Sequence, residues 1–305
     1  MNRKEHFLTL GDYSGEELNE LLNMADQLKY EQKHGIEHHH LAGKTLGMIF
    51  QKHSTRTRVS FESGMYQLGG MAMFLSGKDL QLERGETMQD TARALSGYLD
   101  GMMLRTERHE DVETLAEYAH VPVINGRTEF AHPCQVLADL MTVREYKRTF
   151  RGKKICYVGA GSNVANSLIV GALKVGMEVS MACPEGYEPA ESVLEFAADT
   201  QRFTLTEDPI QAVQGADAVY AGLWFPGETE KNEKNLKKVF SNYQVNDILI
   251  RNAKPDAIVL HCLPAHRGQE ITAELFETHA KEIFDQSENR LHAQKAVLVR
   301  LLGGR

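Results

Sequence analysis

The sequence predicts an α/β protein of two domains, each a parallel sheet flanked by helices, with an interdomain helix joining them. Short apolar runs alternate along the chain with stretches whose apolar residues recur at helical spacing, which is the pattern of a parallel sheet. The alternation is interrupted once, near the middle, by a long helical pattern, and then resumes. A length of 305 residues is enough for about two domains of ordinary size.

The first half of the chain contains four apolar runs of strand length. A capping box at Ser14–Glu17 starts a helix that we expect to end near Gly35. Further helical patterns follow the first run and begin again at Thr87 and at His109. The predicted strands of this half are residues 45–50, 71–75, 101–104 and 121–124.

The second half repeats the alternation after a helical pattern from about His132 through Tyr146, which predicts the interdomain helix. Another helix is expected from Asn163. Residues 227–238 are rich in Glu, Lys and Asn and predict a mobile loop, a candidate lid over a substrate. The predicted strands of this half are residues 155–158, 178–182, 218–221 and 257–260.

Composition argues against several classes of protein. The chain carries 34 Lys and Arg against 42 Asp and Glu, and its net charge of -8 disfavours nucleic acid or an anionic membrane as a partner. No apolar stretch approaches the roughly 18 residues of a membrane span, and no apolar segment follows the charged N-terminus, so we expect a cytoplasmic protein. The four cysteines form no CxxC pair, and the run Glu37–His40 predicts a solvated loop, so no metal site is expected.

Hydroxyl and guanidinium groups gather after the first predicted strand. Ser54, Thr55, Arg56, Thr57 and Arg58 stand where a helix begins, and free backbone N–H groups at a helix start favour an anion. The segment therefore predicts a phosphate site. The alternative is that Ser54 only caps the helix and that the two arginines form surface ion pairs.

Polar side chains also follow other predicted strands. Arg105 ends the third apolar run, and His132 and Gln135 come shortly after the fourth. Because the carboxyl ends of parallel strands meet at one edge of a sheet, we expect these side chains to face the same crevice as the phosphate site.

Two motifs in the second half suggest other chemistry. The Gly-rich turn between Tyr157 and Asn163 is typical of a dinucleotide site, but the third glycine of that fingerprint is missing. Cys262 adjoins His261 at the last predicted strand, where neighbouring side chains point to opposite faces, so covalent catalysis by the thiol is disfavoured. The bond before Pro264 is a candidate cis peptide.

Three motifs, in this order along the chain, identify a resemblance to a known family. Ser-Thr-Arg-Thr-Arg at 54–58, His-Pro-Cys-Gln at 132–135 and His-Cys-Leu-Pro at 261–264 resemble the motifs of ornithine carbamoyltransferases. Shorter matches extend the resemblance over nearly the whole chain, at 90–93, 243–246 and 288–292.

The resemblance implies a carbamoyltransferase of arginine and amino-acid metabolism. Such an enzyme moves a carbamoyl group from carbamoyl phosphate to an amine, uses no metal or organic cofactor, and is usually a homotrimer or a multiple of trimers. Residues 1–137, completed by the C-terminal helix 288–305, would bind carbamoyl phosphate, and residues 138–287 would bind the amine.

The resemblance also implies roles for individual residues. Arg56, Arg105, His132 and Cys262 would be catalytic, and Gln81 would reach the site of a neighbouring subunit. The phosphate would be held by Ser54, Thr55, Arg56, Thr57 and Arg105, the carbamoyl end by His132, Gln135 and Arg290, and the amine by Asn163, Cys262 and Leu263.

The loop after residues 218–221 leaves the amine acceptor open. Ornithine enzymes carry an Asp where this chain has Gly222, and Ser-Met-Gly where it has Pro226, Gly227 and Glu228. The main prediction is transfer to the side-chain amine of ornithine. The alternatives are another amine, such as putrescine or a modified or shorter amino acid, and a catalytically silent paralogue. A lost carboxylate partner of an ammonium group costs about 1.5 to 3 kcal/mol, so we expect Gly222→Asp to raise activity toward ornithine.

Overall fold

The computed structural model describes residues 5–224 and 233–304, and the chain divides into two compact units. The first unit comprises Met1–Leu137 and Arg290–Arg305, and the second comprises Ala138–Asn289. Both boundaries fall within a helix, and the first of these helices is the predicted interdomain helix. Within the described ranges, no helix combines the length and the apolar character needed to cross a bilayer.

The first unit alternates strands and helices. One turn of 3-10 helix, Leu10–Asp12, precedes the first helix. Two further turns, Gly77–Asp79 and Gln81–Arg84, follow the second strand. Its elements are α1 (Gly15–Lys33), β1 (Thr45–Phe50), α2 (Thr55–Gln67), β2 (Met71–Ser76), α3 (Met88–Ser96), β3 (Gly101–Arg105), α4 (His109–Tyr118), β4 (Val123–Arg127) and the start of α5 (Pro133–Lys147).

The second unit repeats the same alternation and ends in the long helix that returns to the first unit. A 3-10 turn occupies Ser241–Tyr243. The elements are β5 (Lys154–Val158), α6 (Asn163–Lys174), β6 (Glu178–Ala182), α7 (Glu191–Ala198), β7 (Phe203–Thr206), α8 (Pro209–Val213), β8 (Ala218–Ala221), α9 (Glu233–Val239), α10 (Asp247–Ile250), β9 (Ile258–Leu260), α11 (Ala273–Thr278) and α12 (Ala280–Leu302).

Both sheets are parallel, and each has a central strand at which the strand order reverses. The order is β2-β1-β3-β4 in the first unit and β7-β6-β5-β8-β9 in the second. Ligands bind to open α/β sheets outside the carboxyl ends of the strands where the order reverses. The topology therefore favours one site after β1 and β3 and another after β5 and β8.

Three parts of the predicted secondary structure need correction. Strand β4 begins and ends later than predicted and continues through Arg127. Strand β7 was not predicted, because it is a short edge strand with only partial burial. The predicted loop at 227–238 is wrong from Glu233 onward, where α9 begins, and residues 227–232 lie outside the described residues.

A buried lysine anchors α12 to the rest of the first unit. The Lys295 side chain is fully buried, and its Nζ donates to Gln32 Oε1 on α1 (2.8 Å) and Gln67 Oε1 on α2 (2.9 Å). A third bond, of 2.8 Å, joins Nζ to His38 Nε2. The prediction of a solvated loop at Glu37–His40 is therefore wrong for His38, which is buried as an acceptor for this lysine.

Burial lowers the pKa of the Lys295 ammonium to about 8, and the nearby Glu31 carboxylate raises it only in part. The ordinary value in an unfolded chain is near 10.5. Between these two values the unfolded chain binds more protons than the folded one, so the free energy of unfolding rises with pH. We expect the stability of the wild type relative to Lys295→Met to increase between pH 8 and 10.5, with a slope below about 1.4 kcal/mol per pH unit.

Denaturant unfolding of both proteins across this pH range measures the effect. The control is Lys33→Met, because Lys33 is exposed at the end of α1. The free energy of unfolding of Lys33→Met should change with pH in parallel with that of the wild type. Parallel curves for Lys295→Met as well would contradict the prediction.

Candidate functional site

The start of α2 carries the residues that were predicted to bind an anion. Ser54 caps the helix, since its Oγ accepts from the Thr57 N–H at 3.3 Å. Thr55 is exposed and Arg56 is half-buried at the first turn, so both are accessible to a ligand. Thr57 is buried, and its Oγ1 accepts from Arg290 Nη2 at 2.8 Å. The α2 start therefore holds an arginine from α12, 233 residues away along the chain.

Arg105 lies at the end of β3, directly beside β1. Its backbone carbonyl accepts from the Gln51 N–H at 2.9 Å, which ties the end of β3 to the segment leading into α2. Burial, together with the positive charges of Arg127, Arg290 and Arg56, lowers the pKa of the Arg105 guanidinium to about 9. Arg105 is thus buried among cations.

His132 and Gln135 stand at the start of α5, and both are buried. Burial holds the pKa of His132 well below its ordinary value, and the charges of Arg290 and Arg105 act in the same direction. His132 is therefore neutral at neutral pH. A neutral imidazole can donate one hydrogen bond to a carbonyl oxygen without adding charge to the site.

The cluster is larger than the sequence predicted. The positive charge of Arg127 lowers the pKa of both Arg105 and His132. It was missed because β4 was predicted to end at Ile124, three residues too early. The signal that could have found it is its position as the last residue of a strand, the same signal that identified Arg105.

Two other residues of the predicted motifs lie apart from this cluster. Arg58 pairs with Glu62 at 3.0 Å and lies over the Phe74 ring at 3.7 Å, so the alternative of a surface ion pair is correct for this arginine. Gln81 is exposed on the 3-10 turn Gln81–Arg84. No hydrogen bond in the described part of the chain joins its side chain to the cluster.

This arrangement suits a small anion that carries a carbonyl group. In the part of the chain that the structure describes, Arg105 and Arg127 have no carboxylate within ion-pair distance. A bound anion would supply the missing charge, and the helix start of α2 adds backbone N–H groups. The same ranges contain no group of three or more His, Cys, Asp and Glu side chains placed to hold a metal ion.

In the second unit, β5 and β8 are each followed by a glycine, and these two glycines lie against each other. A Cβ on Gly159 would lie 2.7 Å from the Gly222 carbonyl oxygen, and Gly159 has φ +147°, which other residues rarely adopt. The Tyr157 ring covers Gly222, and a Cβ there would meet Tyr157 Cζ at 2.2 Å. Residue 222 therefore has no room for a side chain while Tyr157 keeps its place.

Tyr157 links the start of α6 to this point of the sheet. Its hydroxyl lies 3.2 Å from Ser162 Oγ, and Ser162 caps α6, whose first residue is the buried Asn163. Burial raises the pKa of Tyr157 far above its ordinary range, with the nearby Cys262 adding to the shift, so the phenol stays protonated. No sequence pattern indicated that Tyr157, rather than a residue of the Gly-rich turn, occupies this position.

The turn after β9 is held by buried hydrogen bonds of His261. The Leu263–Pro264 bond is cis, as the sequence indicated, and Leu263 has φ +55°. His261 Nδ1 accepts from the Leu263 N–H at 2.8 Å, and its Nε2 lies 3.1 Å from Glu270 Oε1. Both ring nitrogens are thereby engaged, so His261 is not a base for Cys262, which is half-buried beside it.

The Gly-rich turn before α6 is occupied by the protein itself. Gly161 N–H donates to the Tyr187 carbonyl oxygen at 2.7 Å. A Cβ on Gly161 would lie 2.1 Å from the Glu188 carbonyl oxygen. A dinucleotide needs this backbone open to its pyrophosphate, so the geometry argues against that alternative.

The structure changes the expectation for Gly222→Asp. Because the new Cβ would overlap the Tyr157 ring, even Gly222→Ala should lower the free energy of unfolding by about 1–3 kcal/mol, the usual cost of overpacking. In a Tyr157→Ala background the same substitution should cost less than about 1 kcal/mol, because the ring is gone. Denaturant unfolding of the four proteins of this cycle measures the coupling.

Gly97→Ala is the control for the loss of a glycine. Gly97 has a right-handed helical φ, and a Cβ there would have its nearest neighbour at 3.5 Å, an ordinary contact. If Gly222→Ala lowers the free energy of unfolding equally in the wild type and in Tyr157→Ala, the Tyr157 ring does not limit the size of residue 222.

Matches to known families and proteins extend over nearly the whole chain. Residues 5–145 match the carbamoyl-P binding domain of the aspartate/ornithine carbamoyltransferases, and residues 151–301 match their Asp/Orn binding domain. An ornithine carbamoyltransferase of Carboxydothermus hydrogenoformans is 53% identical over 99% of this chain and 98% of its own.

Solved structures agree with these matches. The ornithine carbamoyltransferase of Pyrococcus furiosus superposes with a TM-score of 0.94 at 50% identity, covering 98% of this chain and 97% of its own. That of Giardia lamblia, 30% identical, gives 0.87 and covers 99% of both chains. The predicted fold class is confirmed, and the chain belongs to the aspartate/ornithine carbamoyltransferase family.

Proposed function

We propose that this chain transfers the carbamoyl group of carbamoyl phosphate to the side-chain amine of L-ornithine, giving citrulline and phosphate. The observation that carries the proposal is the cluster of arginines around a neutral His132 in the first unit. Carbamoyl phosphate presents the two groups that this cluster suits, a phosphate dianion and a carbonyl. The names of the relatives at about half identity supply ornithine as the acceptor.

The phosphate group is bound at the start of α2. Ser54, Thr55, Arg56 and Thr57 contribute hydroxyl groups, backbone N–H groups and one guanidinium, and Arg105 adds a second from the end of β3. These groups neutralise the charge that grows on the phosphate as it leaves. Because they are fixed before the substrate arrives, little reorganisation is needed in the transition state.

The carbamoyl end is bound by His132, Gln135 and Arg290. Arg290 is held against Thr57, so one guanidinium lies beside both the phosphate site and the buried His132. Negative charge develops on the carbonyl oxygen when the amine attacks. A hydrogen bond from the neutral imidazole and the positive charge of Arg290 stabilise that oxygen.

The chemical step needs no strong base. The lone pair of the neutral amine forms a bond to the carbonyl carbon, and the bond from that carbon to the phosphate oxygen breaks with its electrons remaining on the phosphate. The proton lost by the amine passes to the departing phosphate. Correct placement of the two substrates supplies much of the acceleration, up to about 7–11 kcal/mol.

The acceptor is assigned to the second unit. We place carbamoyl phosphate on residues 1–137 with 288–305, and the amine on residues 138–287. Asn163, at the start of α6, and Cys262 with Leu263, in the turn after β9, bind the amine. Cys262 contacts the amine without forming a covalent bond, since His261 is engaged with Glu270.

We further propose that the chain assembles as a homotrimer and acts in the cytoplasm. Apolar side chains are exposed along the edge strand β2 and the neighbouring α2, among them Tyr66 (82%) and Met71 (56%). An uncovered edge strand pairs readily with another chain. Gln81 follows β2 closely, so a copy seated on this face would receive it. All four cysteines are free thiols, which fits a reducing compartment.

The first test is an assay of the purified protein with carbamoyl phosphate and ornithine, in which product mass and phosphate release are both measured. Citrulline should be the best product in a panel of single amines that includes putrescine. Arg56→Ala should lower kcat/KM for carbamoyl phosphate by about 100-fold or more, because it removes a charge that stabilises the transition state.

The control for this variant is Arg251→Ala, which removes an exposed arginine at the end of α10. Its kinetics should match the wild type within about twofold. A better product from another amine would overturn ornithine as acceptor, and unchanged kinetics in Arg56→Ala would overturn the phosphate site.

The trimer is tested by light scattering coupled to gel filtration. The wild type should elute with three times the chain mass, and Tyr66→Asp should shift the mass toward one chain, because it buries a charge in the interface. The control is Ile248→Asp, which changes a 72% exposed side chain in the second unit. A trimeric Tyr66→Asp, or a monomeric wild type, would contradict the proposed interface.

A further inference from the structure

A bulge in β4 determines the register position of Arg127. Leu104 pairs with Asn125, but the register then shifts, so that Arg105 pairs with Arg127 and Gly126 is the extra residue. Bulges redirect side chains, and register partners on neighbouring parallel strands point to the same face of the sheet. Arg127 is therefore presented on the same face as Arg105, at the carboxyl end of the sheet.

The backbone holds this register at the strand end. The Thr106 N–H donates to the Arg127 carbonyl oxygen at 3.1 Å, and the Thr106 hydroxyl bonds to the Gln51 side chain. A Cβ on Gly126 would overlap Met103 Sδ, so the bulge position accepts only glycine without rearrangement. The placement of Arg127 is thus fixed by backbone contacts that do not involve its own side chain.

The Arg127 side chain lacks the partners that would explain it structurally. It is half-buried, and within residues 5–224 and 233–304 it forms no ion pair and no side-chain hydrogen bond. Its register partner on β3 is a cation, Arg105, and the charge of Arg127 lowers the pKa of that guanidinium. Like charges side by side on adjacent strands destabilise a sheet. A sequence that breaks this rule without a structural gain indicates a functional position.

We propose that Arg127 is a fourth arginine of the carbamoyl phosphate site and binds the phosphate group beside Arg105. The inference rests on the proposed function, and it adds a substrate-binding residue that the motifs did not predict. The phosphate is a dianion in the substrate and remains one in the product. Arg127 therefore strengthens the binding of both, and the site retains inorganic phosphate after transfer.

The experiment measures inorganic phosphate binding by titration calorimetry and carbamoyl phosphate kinetics on the same preparations. Arg127→Met should raise the Kd of inorganic phosphate and the KM of carbamoyl phosphate about tenfold, the usual effect of losing one charged hydrogen bond. The KM of the amine, measured at saturating carbamoyl phosphate, should not change. Inhibition by added phosphate should weaken by the same factor as its Kd.

Arg108→Met is the matched control, because it removes the same charge from the segment that follows β3. Arg108 is exposed and already pairs with Glu110 at 2.6 Å. Its phosphate Kd should stay within twofold of the wild type. If Arg127→Met does not fold, Arg127→Lys tests the same contact, since it keeps the charge but loses the planar pair of donors, and should raise the Kd about threefold.

The outcomes separate this inference from the proposed function. Calorimetry measures phosphate binding without turnover. If the wild type makes no citrulline but binds phosphate tenfold better than Arg127→Met, the proposed reaction is overturned and the phosphate-binding role of Arg127 is supported. If neither Arg127→Met nor Arg108→Met changes the Kd of inorganic phosphate, the proposed role of Arg127 is overturned. A wild type that binds no phosphate would overturn both.

Discussion

Positive charge without matching negative charge at the strand ends of the first unit is the constraint on which the site depends. Arg105 and Arg127 lie side by side on β3 and β4, and Arg56 and Arg290 add to the same cluster. An ordinary interior would pair such groups with carboxylates. Here Arg290 donates to the neutral hydroxyl of Thr57, and the backbone of Arg105 is bonded to the backbone of Gln51.

Holding these groups requires contacts between distant parts of the chain. Arg290 reaches the start of α2 because α12 packs into the first unit, and the fully buried Lys295 fixes that helix to α1 and α2 through neutral acceptors. Those acceptors satisfy the ammonium but do not neutralise it, which is why burial lowers its pKa. The position of Arg290 in the cluster therefore depends on a second buried cation.

Periodicity and strand-end position predicted most of the fold and much of the first site. Ser54 and Arg105 follow apolar runs that are easily recognised, so their placement needed no knowledge of packing. Arg127 was missed because β4 was predicted to end at Ile124, since the bulge that carries the strand on to Arg127 has no signature in the hydrophobic pattern. His38 was misplaced because its partner is 257 residues away. Contacts of that range depend on the packed fold, and local sequence carries no record of them.

The strand ends of the second unit are built in a different physical way. They are crowded with backbone and aromatic atoms: Gly159 lies against Gly222, and the Tyr157 ring covers Gly222. The family motif places a carboxylate at 222, but a side chain there and the Tyr157 ring require the same volume. A side chain at 222 therefore requires the Tyr157 ring to shift or to be replaced. The size of residue 222 is thus set by the position of the Tyr157 ring, which a contact of its hydroxyl with Ser162 holds at the start of α6.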